Sequence, residues 1–452
     1  MSTHIKSMTE GRPAGLILTF ALPLMLGNVF QQLYTVVDTM VVGRYLGVSA
    51  LAALGASDWL VWMMLGTVQG LTQGFGILMS HEFGAGQYNK LRRAVGNSAV
   101  LAGLSSLALA AAGHLAARPI LLLLRTPGDI LPGTLLYLRI IFSGVPISMS
   151  YNLLACLLRS LGDGKTPLQA MAVSSAANIA LDTLFVMVFH WGIAGAAAAT
   201  LIAQGLSSLF CLRRAARLDL LRMARQDFRL QPQVSLRLLG LGSPMAFQNC
   251  VIAIGGMILQ FMVNQAGVIF IAGYTAANKL YGVLEIAATS YGYAMITYVG
   301  QNLGAEKYAR IRQGVRAAAA VALATSVAIA AFMLAFGQAI LGRFISGTPQ
   351  EVEQAMEAAY TYLSIMSAFL PTLYLLHVVR SSIQGMGNTA LPMASGIVEF
   401  VMRTSAALLL PALIGSTGLF FAEVSAWVGA DLVLIPSYFL VARKKLRAGP
   451  SL

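Results

Sequence analysis

The sequence predicts an all-α membrane protein: twelve transmembrane helices in two six-helix lobes related by a pseudo-two-fold axis along the membrane normal. Three observations carry that expectation. The 452-residue chain is 57% hydrophobic and only 10% charged. Its apolar runs recur with short polar gaps, and runs of about 20 apolar residues are long enough to cross a bilayer as helices. The chain also matches itself at an offset of about 220 residues.

The expected spans lie near 15–42, 50–80, 95–117, 131–158, 165–190, 193–213, 238–264, 268–300, 314–338, 357–384, 389–412 and 417–441. The net charge of +13 follows their loops. With the N-terminus in the cytoplasm, 23 basic residues fall inside: Lys6, Arg12, Lys90, Arg92, Arg93, Arg159, Lys165, the seven arginines from Arg213 to Arg237, Lys307, Arg310, Arg312, Arg316, Arg380 and the cluster Arg443 to Arg447. Five fall outside, Arg44, Arg118, Arg125, Arg139 and Arg343, while Lys279 and Arg403 lie within helices. That asymmetry is the positive-inside rule, with both termini cytoplasmic and the chain expected in the plasma (inner) membrane. The positive charge is therefore an insertion signal and gives no support for nucleic-acid binding. Cys156, Cys211 and Cys250 have no metal or redox spacing and read as packing residues. No removable signal peptide is apparent ahead of the first span.

The repeat is carried by the loops. Phe83-Gly84-Ala85-Gly86-Gln87-Tyr88 aligns with Leu303-Gly304-Ala305-Glu306-Lys307-Tyr308, and Leu161-Gly162-Asp163-Gly164-Lys165-Thr166-Pro167 with Met386-Gly387-Asn388-Thr389-Ala390-Leu391-Pro392. Pro23 likewise matches Pro244. Six spans per half give both halves the same orientation, a parallel repeat whose interface usually encloses a substrate path. The expected organisation is an N-terminal lobe over 1–212, a cytoplasmic connector over 213–236 and a C-terminal lobe over 237–452. Gly162-Asp163-Gly164-Lys165-Thr166 lacks the spacing and preceding strand of a phosphate loop. It reads as a turn, with Pro167 opening the next helix where its missing N–H costs nothing. Nothing in the chain supports ATP-driven transport or an enzyme.

Asp38 lies inside the first apolar run, and intramembrane carboxylates usually serve a proton, an ion or a cationic substrate. Ascending helices place Asp38 and Asp182 in the outer half of the first and fifth spans. Asn178 precedes Asp182 by four residues and shares its helix face, as Gln31 and Tyr34 share that of Asp38. Thr200 reaches a comparable depth on the sixth span. Two close carboxylates in a low dielectric cannot both remain charged cheaply, so the pair would take up a proton or, with neutral oxygens from Asn178 and Thr200, partly dehydrate a sodium ion. The alternative is that the aspartates serve as glue, hydrogen-bonding helix backbones or each other. Gln31, Tyr34 and Asn152 are candidate cavity-lining residues, although Asn152 sits nearer the cytoplasmic side and reads more readily as an ordinary interhelical hydrogen-bonding residue. In the second half, Glu399 and Arg403 have the i,i+4 spacing of an intrahelical pair. Glu285 is a possible cavity carboxylate, and His377 reads as a packing residue without an acidic companion at helical spacing.

Leu22-Pro23-Leu24, Val37-Asp38-Thr39-Met40-Val41-Val42-Gly43, the Gly84-Ala85-Gly86 turn and Arg159 to Pro167 together resemble the multidrug and toxic compound extrusion (MATE) family. The similarity spans nearly the whole chain. It implies an antiporter that exports amphipathic, often cationic, small molecules in exchange for protons or sodium ions through a V-shaped pair of six-helix lobes. The chain is expected to act in the lipid bilayer as a monomer, with no cofactor beyond the coupling ion. Asn178-Ile179-Ala180-Leu181-Asp182 is similar to a motif of the DNA-damage-inducible-F-like branch, which implies a coupling site at Asp38, Asn178 and Asp182, with Asp38 and Asp182 the ligands of any sodium ion. The sodium-coupled NorM-type branch carries acids where this chain has Gln248, Asn249 and His377, so no site of that type is expected in the C-terminal lobe. The alternative is a lipid-linked oligosaccharide flippase of the same superfamily, which would call for more intramembrane bases to face a pyrophosphate.

Overall fold

A computed structural model of the protein describes residues 5–345 and 348–446. Arg447, counted above among the inside charges, lies outside the described residues. Within them the chain is helical and contains no strand. The first half holds α1 (Pro13–Tyr45), α2 (Val48–Gly84), α3 (Tyr88–Leu123), α4 (Leu131–Ser143), α5 (Val145–Ser160), α6 (Lys165–Asp182) and α7 (Gly192–Ala216). The second holds α8 (Pro232–Val263), α9 (Val268–Gly304), α10 (Tyr308–Leu341), α11 (Pro349–Ala368), α12 (Leu370–Gly385), α13 (Ala390–Ile414) and α14 (Phe421–Leu446). A bilayer offers the backbone no water, so apolar runs of this length satisfy their peptide groups as helices.

Among the described residues, eight helical stretches are long and apolar enough to cross a membrane, one of them containing both α13 and α14, and two bent pairs bring the number to ten. α9, 37 residues long and carrying Lys279 and Glu285, completes the twelve spans. The bent pairs are α4 with α5 and α11 with α12, each turning through 47°. Each was expected as one helix. α5 opens with Val145-Pro146 and α12 with Leu370-Pro371. A proline there removes an N–H and crowds the residue before it, so the backbone breaks although the apolar run continues.

The two halves repeat at the level of single dihedrals. The turn after α2 has Gly86 at φ 68° and the turn after α9 has Glu306 at φ 57°, while Gly162 (φ 83°) corresponds to Gly387 (φ 76°). Gly162 also has a packing reason to lack a side chain, since a Cβ there would fall 2.0 Å from the Lys6 carbonyl oxygen. Beside it, Asp163 is fully buried; its Oδ1 accepts from Thr166 N at 2.9 Å and its Oδ2 from the Thr166 hydroxyl at 2.6 Å. Arg214 lies 3.6 Å from Oδ2. Asn388 repeats the cap, accepting from Leu391 N at 3.2 Å.

Packing divides the chain into two compact units, one formed by residues up to Met8 with Leu22–Cys250, the other by Thr9–Ala21 with Val251–Leu452. These units and the two sequence repeats are different divisions of the chain. In the first unit, the N-terminal part of α8 lies directly on α2. A Cβ on Gly74 would come 2.3 Å from the Gly242 Cα, and one on Gly70 2.5 Å from Ala246 N, so only glycine permits this approach. In the second unit, Lys307 Nζ and Arg310 Nη2 donate to the carbonyls of Thr9 and Gly11, both at 3.0 Å, just ahead of α1.

The connector is pinned by one buried side chain of α3. Asn97 Nδ2 donates to the carbonyls of Asp227 (3.3 Å) and Arg229 (3.1 Å), and its Oδ1 accepts from Gln231 N (2.8 Å) and the Ser235 hydroxyl (3.2 Å).

Candidate coupling site

Small residues bring the site helices together in the first unit. On α6, Ser174 donates to the Ala203 carbonyl at 2.9 Å and Ser175 to the Phe30 carbonyl at 3.3 Å, while the Ser207 hydroxyl of α7 donates to the Ala170 carbonyl at 3.0 Å. Leu168 of α6 lies against Gly27 of α1. Close helix approach through small residues and hydroxyls is the usual device where apolar packing alone cannot favour protein over lipid.

Val42, Leu54, Val186 and Ala196 form one buried apolar cluster, with Tyr137 of α4 packed against it. Each has a polar residue four positions away: Asp38 before Val42, Asp58 after Leu54, Asp182 before Val186 and Thr200 after Ala196. The sign alternates because successive helices run in opposite directions. Four residues are one helical turn, or about 6 Å of rise. The chain thus stacks a polar layer drawn from four helices directly on an apolar one.

Asp182 in the polar layer is fully buried, and Asn178, one turn before it on α6, is 1% exposed. Asp38 Oδ1, both side-chain polar atoms of Asn178 and both carboxylate oxygens of Asp182 are buried without a hydrogen-bond partner among the described residues. None of these atoms hydrogen-bonds a helix backbone or the opposite carboxylate. Asp182 lies within reach of the charge of Asp38, and Asp38 of the charge of Asp58. Tyr34 and Tyr137 lie within reach of both Asp38 and Asp182. Immediately after Asp182 the helix widens into a π-helical turn, Thr183–Val188, a distortion often found at functional positions.

The other expected residues fall as follows. The Thr200 hydroxyl donates to the Ala196 carbonyl at 3.1 Å, which leaves its oxygen lone pairs to accept. Gln31 is exposed on α1. Asn152 turns back on its own helix, Nδ2 donating to the Ser148 carbonyl at 2.8 Å, rather than reaching across to another helix. Glu285 belongs to the second unit, its Oε1 3.8 Å from His377 Nε2. Thus His377 does have an acidic companion, supplied by α9 where helical spacing on α12 could not show it. Sequence reasoning passed over Asp58 and Tyr137. Asp58 carried the same signal as Asp38, a carboxylate inside an apolar run, whereas Tyr137 carried none.

Two further expectations change in the second unit. Glu399 and Arg403 do not pair with each other: Glu399 contacts Arg380 of α12, and Arg403 Nη2 donates to Glu423 Oε2 of α14 at 2.8 Å. Both residues are buried, where facing helices offer partners the shared helix does not. Arg380 is accordingly a buried residue within α12 and not one of the loop charges.

A helical protein of twelve spans in two repeated halves has the architecture of a membrane transporter. The MatE family model matches residues 23–184 and 244–409, one block in each half. The chain belongs to the MatE family. It is 28% identical over 412 residues, 91% of each chain, to the probable multidrug resistance protein YpnP of Bacillus subtilis (strain 168). Its fold matches that of a MOP superfamily transporter from Pyrococcus furiosus with a TM-score of 0.88 at 20% identity, covering 99% of both chains. A mutant of the Vibrio cholerae MATE transporter VcmN matches at a TM-score of 0.86 and 22% identity, over 97% of this chain and 98% of that one.

Proposed function

We propose that this chain is a secondary active exporter of amphipathic, often cationic, small molecules, driven by proton or sodium-ion exchange through alternating access, with coupling at Asp38, Asn178, Asp182 and Thr200. Asp58 joins them at the exposed edge of the layer. One observation carries this reading: the inner oxygen of Asp38 and all the side-chain polar atoms of Asn178 and Asp182 are buried without partners. Buried carboxylates within reach of one another favour a bound proton or cation over two bare charges. Asp38 and Asp182 supply the charge for that ion, and Asn178 and Thr200 supply neutral oxygens.

Loading and unloading the ion changes which charges repel across α1, α2 and α6. α1 is the element best built to respond, because Pro23 interrupts its backbone ladder and Gly27 offers only a small contact to Leu168. A bend there, away from the apolar layer at Val42, moves the polar layer relative to its seal and couples ion exchange to cargo release. The relatives' description as multidrug resistance proteins supports the cargo class. The pairing of Arg380 and Arg403 with carboxylates supports cationic cargo over a pyrophosphate-linked lipid. The DNA-damage-inducible-F-like branch, the inner membrane, cytoplasmic termini and a monomer complete the reading.

The test is efflux of a cationic dye by purified protein in proteoliposomes under separately imposed proton and sodium gradients. One gradient should drive accumulation and the other should not. Dye movement indifferent to both gradients overturns the reading.

A further inference from the structure

The second unit buries a set of charges that the coupling site does not use. Arg380 lies on α12, Glu399 and Arg403 on α13, and Glu423 and Asp431 on α14. Two cations thus face three carboxylates. Arg380 contacts Glu399, and Arg403 binds Glu423 at 2.8 Å while also donating through Nη1 to the Ile252 carbonyl at 3.2 Å. Asp431 is left over. It is 7% exposed, its Oδ1 is buried without a hydrogen-bond partner, and it forms no ion pair among the described residues.

The cation whose field reaches Asp431 is Arg380, and Arg380 Nε is itself buried without an acceptor. An unused donor and an unused acceptor thus stand on α12 and α14, two helices packed against each other. The remaining charged groups around them are His377 one turn before Arg380, Glu285 beside His377, and the Arg403–Glu423 pair. An ionised carboxylate in such surroundings is costly unless it is paired or neutralised.

The geometry points to Asp431 as a second proton-carrying site, with Arg380 divided between Glu399 and Asp431 according to whether Asp431 holds its proton. When Asp431 is protonated, Arg380 rests with Glu399 alone. When the proton leaves, the carboxylate draws the free Nε toward α14 and tightens the α12–α14 contact. The balance is one proton taken up or released, with no other reactant. That this proton is exchanged for cargo rests on the exporter reading; that Asp431 binds it does not.

The test is an infrared difference titration of the purified full chain in lipid nanodiscs, following protonated carboxyl groups, with D431N, D431E and D38N as variants. D431N should lose one titrating carboxyl signal that D38N retains, and D431E should restore it at a shifted position, which a merely structural residue would not do. D431E keeps the test open should D431N fold poorly. An unchanged set of carboxyl signals in a folded D431N, or an unshifted set in D431E, overturns the proposal. In proteoliposomes at a pH gradient of one unit, dye accumulation by D431N should fall about tenfold, the value of one exchanged proton. Loss of the signal with undiminished accumulation also overturns it, because the proton would then be bound but not carried. If wild-type protein accumulates no dye while D431N still loses its signal, the proton site stands and the exporter reading falls.

Discussion

Arg403 is bound to Glu423 twenty residues further along the chain, at 2.8 Å, and not to Glu399 one turn before it on the same helix. The Arg403 side chain is 5% exposed and that of Glu423 16%. Removing one partner from such a pair leaves a buried charge uncompensated, at a cost of about 3 kcal/mol or somewhat more. We expect E423Q to lower the thermal unfolding temperature in detergent markedly. Replacing both partners together, R403M with E423M, should recover most of the loss.

In the first unit, D38N and D182N are each expected to reduce ion-driven dye efflux at least tenfold while leaving insertion and folding intact. N178A should weaken it less, because the amide offers a neutral oxygen and no charge. D58N should have an intermediate effect, since Asp58 is exposed and acts on Asp38 through its charge. Initial rates in proteoliposomes measure all four, and full efflux by both D38N and D182N removes the coupling assignment.

Gly74→Ala should be among the most disruptive small changes in the chain. The added Cβ meets the Gly242 backbone at 2.3 Å, and backbone cannot rotate out of the way as a side chain can. Overpacking of this kind costs about 1–3 kcal/mol or more. Gly103→Ala, where nothing lies within 4 Å of the new atom, is the matched control and should be neutral or slightly stabilising. Comparing the two melting temperatures tests the α2–α8 contact.

Asn97→Ala removes four hydrogen bonds that hold residues 227–235 against α3. The expected result is faster tryptic cleavage at the exposed Arg225 and Arg229, with the spans themselves protected. A single cysteine at Arg225 should react with an impermeant reagent only from the cytoplasmic side. Labelling from outside intact cells would contradict the topology.

What the sequence disclosed follows from what a helix repeats. The spans, the parallel duplication and the shared face of Asn178 and Asp182 all depend on spacing along one chain segment, and spacing is visible in letters. The partners of Glu399, Arg403 and His377 depend on how neighbouring helices are rotated about their axes, which spacing does not encode. An i,i+4 acid and base can be neighbours on one helix and still each prefer a partner opposite. The alignment of Asp58 with Asp38 was hidden for the same reason, because no local pattern tells which turn of α2 lies level with which turn of α1. The breaks at Gly144 and Phe369 escaped differently: hydropathy continues across them, and only the prolines at 146 and 371 mark the fault.

Those two breaks have a bearing on what the two halves share. They turn through the same 47° at corresponding places, although the residue at the corner is Gly144 in one half and Phe369 in the other. Glycine's freedom is therefore not what makes the corner. The feature common to both is the proline two positions on, so the corner belongs to the plan that the two halves repeat. The two halves differ in their cargo of charge, carboxylates among α1, α2 and α6 in one and arginine-bridged acids among α12, α13 and α14 in the other, on backbones that turn the same elbow.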